Sequence, residues 1–385
     1  MPVPRPHWIE RIERAWRKAP IVWLAGVRRA GKTTLAGHLP GVVVYNCDLP
    51  SVAAQLADPE HFFRQVPGRR LVLDEIHRLD DPSRVLKIAA DSFPRLRVLA
   101  TGSSTLAATT KFRDALTGRK RVVHLVPVLG TEIEAFGVTL ERRLLRGGLP
   151  AALLSEGPDP ELYAEWLDSF FARDVQELFH VEKRAGFLQL IRLLLRQSGG
   201  LAEMTRLAAA SSLSRPTVLN YLEVLQTTFV IDLLRPFHGG GKQELVHQPK
   251  IYGFDTGFVA WSRGWGELRA EDCGILWEHL VLDGLRALPG PLRVQFWRDK
   301  RGREVDFVVP AGRGLQHAVE CKWSGGALEP GGLRAFRDSC PHGRNFLCTP
   351  STAATHSRRF GDLEVTVVSL AGLIDEFRSV GAPGG

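Results

Sequence analysis

The pattern of apolar and polar positions divides the first third of the chain into short apolar runs separated by stretches with helical spacing. Five runs have the length and composition of strands, at 21–25, 42–46, 71–74, 97–100 and 122–126. Strands that alternate with helices in this way are typical of a parallel sheet wrapped by helices. The pattern therefore predicts an α/β domain over residues 1–138.

Helical spacing dominates the middle of the chain. A helical lid is predicted over 139–189, interrupted by the turn Gly147-Gly148-Leu149-Pro150. A second helical unit is predicted over 190–245, with a core of five apolar side chains: Leu207, Leu213, Val218, Leu222 and Leu225. Three glycines at 239–241 predict a flexible loop, which is the clearest signal of a domain boundary within the chain.

The last part of the chain returns to strand-like runs. These runs predict a second mixed α/β domain over 246–385, with strands at 250–255, 292–298, 304–309 and 317–323. A length of 385 residues is sufficient for two to four domains of about 100–200 residues each.

Charge and cysteine content narrow the functional classes. The formal net charge of +8 favours polyanionic partners, although charge alone does not distinguish DNA from RNA or a membrane surface. The five cysteines show neither metal-ligand spacing nor a disulfide framework, which suits a reducing compartment. No signal sequence is evident, and no apolar run approaches the ~20 residues that span a bilayer. We expect a cytoplasmic protein without a membrane partner.

A phosphate-binding loop follows the first apolar run. Gly26-Val27-Arg28-Arg29-Ala30-Gly31-Lys32-Thr33 fits the P-loop pattern, in which glycines let backbone N–H groups surround phosphates. Lys32 is predicted to neutralise β/γ-phosphate oxygens of ATP, and the Thr33 hydroxyl to bind Mg²⁺. The predicted nucleotide contacts in this region are Gly26, Arg29, Ala30, Gly31, Lys32, Thr33 and Thr34.

Two further apolar runs end in groups suited to ATP hydrolysis. The run 71–74 ends in Asp74-Glu75, which predicts a Walker B strand with Asp74 on Mg²⁺ and Glu75 polarising the attacking water. The run 97–100 leads to Ser103, a candidate sensor of the γ-phosphate. Arg119 is a candidate finger acting on a neighbouring subunit, whereas each single arginine here is also compatible with a surface charge.

Residues 203–225 have the pattern of a helix-turn-helix. Ser214 is placed to cap the second helix, and Pro216 is tolerated in its first turn. The side chains predicted to point outward are Arg215, Thr217, Asn220, Tyr221 and Glu223. This set predicts either contact with DNA or packing between subdomains, and the pattern does not choose between them.

Acidic and basic residues near the C-terminus have the spacing of a metal-dependent nuclease core of the PD-(D/E)xK type. Asp306, Glu320 and Lys322 fit that spacing, and Glu278 matches the additional acid of the first helix. The predicted metal ligands are Glu278, Asp306 and Glu320, with Asp306, Glu320 and Lys322 as catalytic groups. Alternatively, such a module binds DNA without cutting it, or the charges reflect only the alternation of amphipathic strands.

These segments together resemble the bacterial and archaeal AAA+ ATPases whose C-terminal half is the domain of unknown function DUF4143. The resemblance extends to the turn at 147–150 and to residues 250–257, and His77 departs from the usual glutamine. The Gly-Leu-Pro turn also resembles the lid of signal-transducing switch ATPases, which implies that Pro150 contacts the nucleotide. The resemblance implies an AAA+ core with a helical lid, a winged-helix-like segment and a nuclease-like α/β domain.

Three functions are compatible with the sequence. The first is an oligomeric ATPase, with a hexameric ring as the expected assembly, that moves along or remodels DNA by recognising its structure, including branched DNA. The second is a nucleotide-gated switch ATPase in regulation or defence. The third is a Mg²⁺-dependent nuclease that ATP regulates.

Overall fold

The computed structural model describes residues 3–102, 106, 109–179, 181–238, 246–288, 290, 292–312, 314–324, 326 and 328–380. Within these residues the strands form a five-stranded, a six-stranded and a two-stranded sheet. The predicted sensor residue Ser103 lies outside the described residues.

The N-terminal sheet is wholly parallel. Its strands have the order β2-β3-β4-β1-β5. They are β1 (Ile21–Ala25), β2 (Val43–Asn46), β3 (Arg70–Asp74), β4 (Arg97–Thr101) and β5 (Lys120–His124). This arrangement confirms the α/β fold predicted for the first third of the chain.

Burial of the central strand on both faces explains its continuous apolar sequence. Val22 and Leu24 of β1 face one core, and Ile21 and Trp23 face a second core on the opposite side. Side chains alternate across a strand, so both faces must be apolar when helices cover both. The helices of this part are α1 (Pro6–Trp16), α2 (Lys32–Gly37), α3 (Pro50–Leu56), α4 (Pro59–Gln65), α5 (Pro82–Ser92) and α6 (Thr110–Ala115).

The fifth strand is displaced from its predicted position. The apolar run predicted a strand at 122–126, whereas β5 spans Lys120–His124. It is an edge strand with one neighbour, and Val122 is 53% exposed. Leu125 and Val126 enter the core just after the strand ends. The last two apolar residues of the run are therefore buried in the core without belonging to the strand.

The middle of the chain is helical, as predicted. A π-helical turn at Phe171–Val175 interrupts it, and Ser212 (φ 55°) turns the chain between the two helices of the helix-turn-helix. The helices are α7 (Leu140–Arg146), α8 (Pro150–Leu154), α9 (Pro160–Phe170), α10 (Gln176–Phe179), α11 (Arg184–Arg196), α12 (Met204–Ser211) and α13 (Arg215–Thr227).

A two-stranded antiparallel hairpin follows the helix-turn-helix. Strand β6 (Ile231–Leu234) pairs with β7 (Lys250–Gly253). The run predicted as a strand at 250–255 therefore belongs to a separate two-stranded sheet and not to the six-stranded sheet that follows. Strand β7 runs antiparallel beside β6. An isolated bridge also joins Leu201 to Lys250.

The C-terminal sheet is mixed, with the strand order β12-β13-β11-β10-β9-β8. Its strands are β8 (Gln295–Arg298), β9 (Glu304–Pro310), β10 (Gln316–Cys321), β11 (Asn345–Cys348), β12 (His356–Phe360) and β13 (Leu363–Val368). The helices after the hairpin are α14 (Thr256–Arg263), α15 (Ala270–Arg286), α16 (Gly331–Ser339) and α17 (Leu370–Val380). Side chains of α15 and α17 pack in one core with Phe307 of β9, and those of α16 pack in another with Val305.

All five cysteines are buried and free of disulfide bonds. Among the helices that the structure describes, none combines the length and apolar character that crossing a bilayer requires.

Candidate functional site

The loop between β1 and α2 has the backbone that phosphate binding requires. Gly26 adopts φ 145°, and a Cβ added there would lie 2.3 Å from the carbonyl oxygen of Leu125. Gly31 adopts φ 91° just before α2 begins at Lys32. Both positions therefore require glycine, because other residues rarely adopt these angles and a side chain at Gly26 would clash. The structure thus supplies the tight turn of a P-loop.

Lys32 lies over the mouth of this loop. Its Nζ donates to the carbonyl oxygens of Gly26 (2.9 Å) and Val27 (3.0 Å). Burial lowers the pKa of Lys32, and the nearby Glu75 carboxylate partly opposes that shift. A cation in this position is suited to phosphate oxygens, because they compensate its charge better than two carbonyls do.

Three hydroxyl and carboxyl groups converge beside Lys32. Asp74 is buried at the end of β3, where its Oδ2 accepts a hydrogen bond from Thr33 Oγ1 at 2.9 Å. Its other oxygen, Oδ1, accepts a hydrogen bond from Thr101 at the end of β4. The structure therefore brings together Thr33 and Asp74, which the sequence predicts as the Mg²⁺ ligands.

Thr101 belongs to the same polar turn as the candidate sensor Ser103, and the structure brings its side chain to the acidic pair. Its hydroxyl donates to Asp74 and accepts a hydrogen bond from the Glu75 backbone N–H at 3.0 Å. The available signal was a threonine at the end of the strand next to the acidic pair, two residues before Ser103. Thr101 orients both acidic residues, whereas Ser103 stays a predicted sensor.

Glu75 has a strained backbone and an ordered side chain. Its φ of 55° is left-handed, a conformation that costs a non-glycine residue about 1–3 kcal/mol. His77 Nδ1 lies 3.2 Å from Glu75 Oε2. Burial raises the pKa of Glu75, and Lys32 acts in the opposite direction. The raised pKa makes this carboxylate a stronger base, and His77 holds it in position.

We expect Thr101→Val to lower ATP turnover by about 10–100-fold while changing ATP affinity little, because groups that orient metal ligands typically contribute this much. Steady-state ATP turnover and equilibrium nucleotide binding are the measurements. Thr205→Val, at an exposed position on α12, is the matched control. Unchanged turnover in Thr101→Val would show that Asp74 and Glu75 keep their positions without this hydroxyl.

The helical lid contacts the phosphate loop directly. Arg28 Nε lies 3.2 Å from Asp174 Oδ2 in the π-helical turn, and Arg29 lies 2.7 Å from Glu165 of α9. The indole N–H of Trp166 donates to the Arg28 carbonyl at 3.1 Å. The loop and the lid are thereby connected at three points.

A cavity of about 940 Å³ lies between the loop and the lid. Lys32, Thr33 and Glu75 line one side, and Pro150 and Trp166 line the other. The Pro150 Cγ atom lies 3.8 Å from the position of a Cβ on Gly31. The volume, the glycine cradle and the donor set fit Mg²⁺-ATP. The remaining predicted contacts Arg29, Ala30 and Thr34 also line this cavity.

Arg119 lies away from this cavity. It immediately precedes β5, at the amino edge of the sheet, whereas the loop lies at the carboxyl edge. Its Nε contacts Asp91 at 2.6 Å. Action on a neighbouring subunit stays a prediction.

The predicted metal ligands of the C-terminal domain each contact a protein group, and the metal centre itself stays a prediction. Asp306 Oδ2 accepts the Cys321 backbone N–H at 2.8 Å, and Glu320 lies 3.4 Å from Lys322 Nζ. Glu278 is 3.0 Å from Lys250 Nζ, a residue outside the predicted set. In the described part of the chain no three His, Cys, Asp or Glu side chains are grouped closely enough to bind a metal ion.

Burial governs the protonation of these acids. It raises the pKa of Glu320 well above the usual value, and the neighbouring Asp306 carboxylate adds to that shift. Burial also raises the pKa of Glu278, which Lys250 opposes. The negative charge of each acid is thus compensated by a protein group and not by solvent.

The helix-turn-helix differs from prediction at one residue. Ser214 caps α13 by accepting the Thr217 backbone N–H at 3.2 Å, and Arg215 and Asn220 are exposed as predicted. Tyr221, predicted to point outward, is 7% exposed and packs edge-on against Phe187. It lies on the same helix face as the apolar core residues, which explains its burial.

Three family models match successive parts of the chain. The AAA domain matches residues 18–134, the domain of unknown function DUF8612 matches 138–269, and the domain of unknown function DUF4143 matches 273–370.

Two curated relatives are similar over most of the chain. The uncharacterized proteins Mb2031c of Mycobacterium bovis and Rv2008c of Mycobacterium tuberculosis are each 30% identical over 312 residues, which cover 78% of this chain and 69% of theirs.

Solved structures give weaker similarity. Cdc6p from Pyrobaculum aerophilum is 12% identical with a TM-score of 0.28, over 72% of this chain and 94% of its own. A DNA polymerase III gamma subunit-related protein from Thermotoga maritima is 12% identical with a TM-score of 0.25, over 57% of this chain and 96% of its own. The family therefore follows from the domain matches and the mycobacterial relatives: this chain belongs to the AAA-domain ATPases that carry a C-terminal DUF4143 domain.

Proposed function

We propose that this protein hydrolyses Mg²⁺-ATP and uses the resulting change in its lid to act on DNA. The observation that supports hydrolysis is the convergence of Thr33, Asp74, Thr101 and Glu75 beside Lys32. DNA as the partner is supported by the net charge of +8 and by exposed Arg215 and Asn220 on the second helix of the helix-turn-helix.

Each residue of the nucleotide site has a separate task. Lys32 would bind phosphate oxygens, and Thr33 with Asp74 would hold Mg²⁺, which would neutralise charge on the phosphates. Glu75 accepts a hydrogen bond from the attacking water and orients it. Thr101 and His77 keep that carboxylate in place, because they contact its backbone and its side chain respectively.

Contacts of the lid extend from the nucleotide site towards the helix-turn-helix. Asp174 and Glu165 of the lid hold the phosphate loop. At the Gly-Gly-Leu-Pro turn, the Gly148 N–H donates to Asp255 Oδ2 at 2.6 Å. Asp255 lies two residues after strand β7 of the hairpin, so a change at the loop would reach the helix-turn-helix through the lid, this turn and the hairpin.

We propose a homo-oligomer as the working form, with a hexameric ring as the assembly to test. In that form Arg119 would leave Asp91 and act on the neighbouring subunit's nucleotide. The C-terminal domain would engage the same DNA, with cleavage by Asp306, Glu320 and Lys322 as a separable hypothesis. Substituting Asp306 with alanine tests that hypothesis, and it fails if the wild type cuts no DNA with any divalent metal.

We expect DNA to raise ATP turnover several-fold, because binding at the helix-turn-helix would be coupled to the lid. The measurement is steady-state turnover with single-stranded, duplex and branched DNA at fixed salt. The double variant Arg215→Ala/Asn220→Ala is expected to lose stimulation and keep basal turnover. Arg64→Ala, an exposed arginine of the N-terminal domain, is the control. Equal turnover with and without every DNA would refute a DNA-driven ATPase.

A second candidate function is a nucleotide-gated switch. The observation that favours it is the lid itself, which is tied to the loop through Arg28 and Arg29 and places Pro150 against Gly31. A lid in this position would slow the release of bound nucleotide. Tight ADP retention and a single turnover per binding event would distinguish a switch from a motor.

A further inference from the structure

A second cavity lies where the N-terminal domain, the helix-turn-helix with its hairpin, and the C-terminal domain meet. Its volume is about 360 Å³, which is in the range of small-molecule sites. Arg11 and His124 line it from the N-terminal domain, Phe229 lines it from the end of α13, and Arg286 lines it from α15. A ligand bound in this cavity would therefore contact all three parts of the chain.

The cavity contains an imidazole without a hydrogen-bond partner. In the described part of the chain, no hydrogen bond is found for the ring of His124, the last residue of β5. The ring stacks on Phe229 instead, with 4.1 Å between the two centroids. Burial lowers the pKa of His124 to about 3, so the ring is neutral and offers one N–H donor and one acceptor nitrogen. A ligand oxygen that accepts this N–H would remove the cost of an unpaired polar group.

The backbone at Phe229 is strained. Its φ of 63° is left-handed, a conformation that is rare for an aromatic residue. Phe229 follows Thr228, the C-cap of α13, at the position where glycine usually ends a helix. Glycine would adopt this angle freely but would leave one wall of the cavity open. Strained positions of this kind are found at binding sites, and here the strain holds an aromatic ring against His124.

The field at His124 is positive. After burial, the groups that lower its pKa most are Arg11, Arg286 and Lys32, and all three are cations. Arg11 donates one nitrogen, Nη1, to the Ala287 carbonyl at 2.9 Å, which leaves its other N–H groups for a ligand. An anion beside His124 would therefore be attracted.

Two acids also line the cavity. Asp232 pairs with Arg286, but its side chain is 44% exposed, so solvent can replace this arginine. Burial raises the pKa of Asp283 to about 7, so part of its negative charge is absent at neutral pH. The pKa of His124 responds to the two arginines more than to either acid, which keeps the net field at its ring positive.

The donors of this cavity suit a phosphate group. They come from three different elements, α1, β5 and α15, and a phosphate ester presents three terminal oxygens, whereas a carboxylate presents two in one plane. The remaining wall includes the apolar side chains of Val27, Leu125 and Phe254. The volume exceeds that of a free phosphate ion, so the wall has room for an organic group attached to the phosphate.

We propose that this cavity binds a small phosphorylated molecule, of about the size of a nucleoside monophosphate, with its phosphate at Arg11, His124 and Arg286. Lys32 and Thr33 line only the Mg²⁺-ATP cavity, and the two cavities share Val27 of the phosphate loop. The ligand thus joins the three parts of the chain beside that loop. The proposal is independent of whether the ATPase acts on DNA.

The test is the binding of AMP, measured by titration calorimetry, to wild type saturated with Mg²⁺-ADP, which occupies the phosphate loop. We expect about one further equivalent of AMP and a higher melting temperature with it. Adenosine is expected not to bind, because it lacks the phosphate. Inorganic phosphate is expected to bind more weakly than AMP, and equal affinity would identify free phosphate as the source of the bound group.

Substitutions in the cavity make the result specific. Arg286→Gln and His124→Phe are each expected to weaken AMP binding about tenfold or more, since each removes a donor to a charged group. His124→Phe keeps a ring against Phe229. Arg293→Gln, at an exposed position of the same domain, is the matched control and is expected to bind AMP as the wild type does. Lys32→Met, titrated without ADP, is expected to keep AMP binding.

Three results would overturn the proposal. One is wild type with ADP bound that takes up neither AMP nor phosphate, and another is adenosine binding as tightly as AMP. The third is AMP binding that Lys32→Met abolishes and Arg286→Gln leaves intact, because AMP would then occupy the phosphate loop. If Arg286→Gln or His124→Phe does not fold, Arg11→Gln replaces it and is expected to weaken AMP binding to the same extent.

Discussion

Glu75→Gln is expected to reduce ATP turnover by about 10²–10⁴-fold, the range typical of a lost general base, while ATP still binds. Glutamine keeps the shape of the side chain but cannot accept a proton from water. Lys32, Thr33 and Asp74 are unchanged in this variant, and their contacts do not involve the Glu75 side chain. Nucleotide affinity and turnover are therefore expected to separate.

Single-turnover hydrolysis and equilibrium binding of ATP are the two measurements for Glu75→Gln. Glu156→Gln, an exposed lid acid outside the cavity, is the matched control and is expected to retain full turnover. Hydrolysis at the wild-type rate in Glu75→Gln would mean that another group orients the water. If ATP binding is lost together with hydrolysis, Glu75 instead maintains the structure of the phosphate loop.

The second large effect is expected at Arg143, whose replacement by alanine is predicted to destabilise the protein by about 3–5 kcal/mol. Its side chain is completely buried, with Nε donating to the Val128 carbonyl at 2.5 Å and Nη1 donating to Thr256 Oγ1 at 2.7 Å. Nη2 lies 3.9 Å from Asp283 of α15. Alanine would leave a cavity and remove the cation that the nearby acids require.

Asp283 makes this loss dependent on pH. Burial raises the pKa of Asp283 to about 7, and Arg143 opposes that shift. A carboxyl with a raised folded pKa stabilises the protein below its unfolded pKa and loses that contribution as pH rises through the folded value. Without Arg143 the pKa rises further, so Arg143→Ala is expected to be more destabilising at pH 8 than at pH 6.

Thermal and urea unfolding at both pH values measure the effect of Arg143→Ala. Arg206→Ala, which removes an exposed arginine of α12, is the control and is expected to change stability little. If Arg143→Ala lowers the free energy of unfolding no more than Arg206→Ala does, the buried contacts of Arg143 do not stabilise the protein. An equal loss at both pH values would show that Asp283 does not depend on this arginine.

Local features of the sequence were sufficient for the N-terminal sheet and the P-loop. Strand β1 is buried on both faces, so its continuous apolar run predicts the strand without knowledge of its neighbours. The glycines at 26 and 31 are required by backbone angles of the loop itself. Asp74 and Glu75 follow a buried strand, and parallel strands place their carboxyl ends at one edge of the sheet.

Other features were not readable because pairing between distant segments creates them. The helical spacing predicts Tyr221 on the surface, whereas Phe187, from another helix, covers it. The sequence predicts a strand at β7 but does not specify its partner, which is β6. The turn at 147–150 and residues 255–257 were separate motifs in the sequence, and the structure joins them through Asp255 and Gly148.

The sequence by itself determined the α/β core, the phosphate loop and the acidic pair, because these depend on short-range periodicity, backbone angles and adjacent residues. Only the tertiary structure decided that Thr101 contacts the acidic pair, that Arg143 is completely buried, and that Lys250 pairs with Glu278, a predicted metal ligand. The physical reason is that a buried charge is defined by the groups that compensate it. Those groups come from strands and helices far apart in the chain, so residue spacing does not encode the pairing.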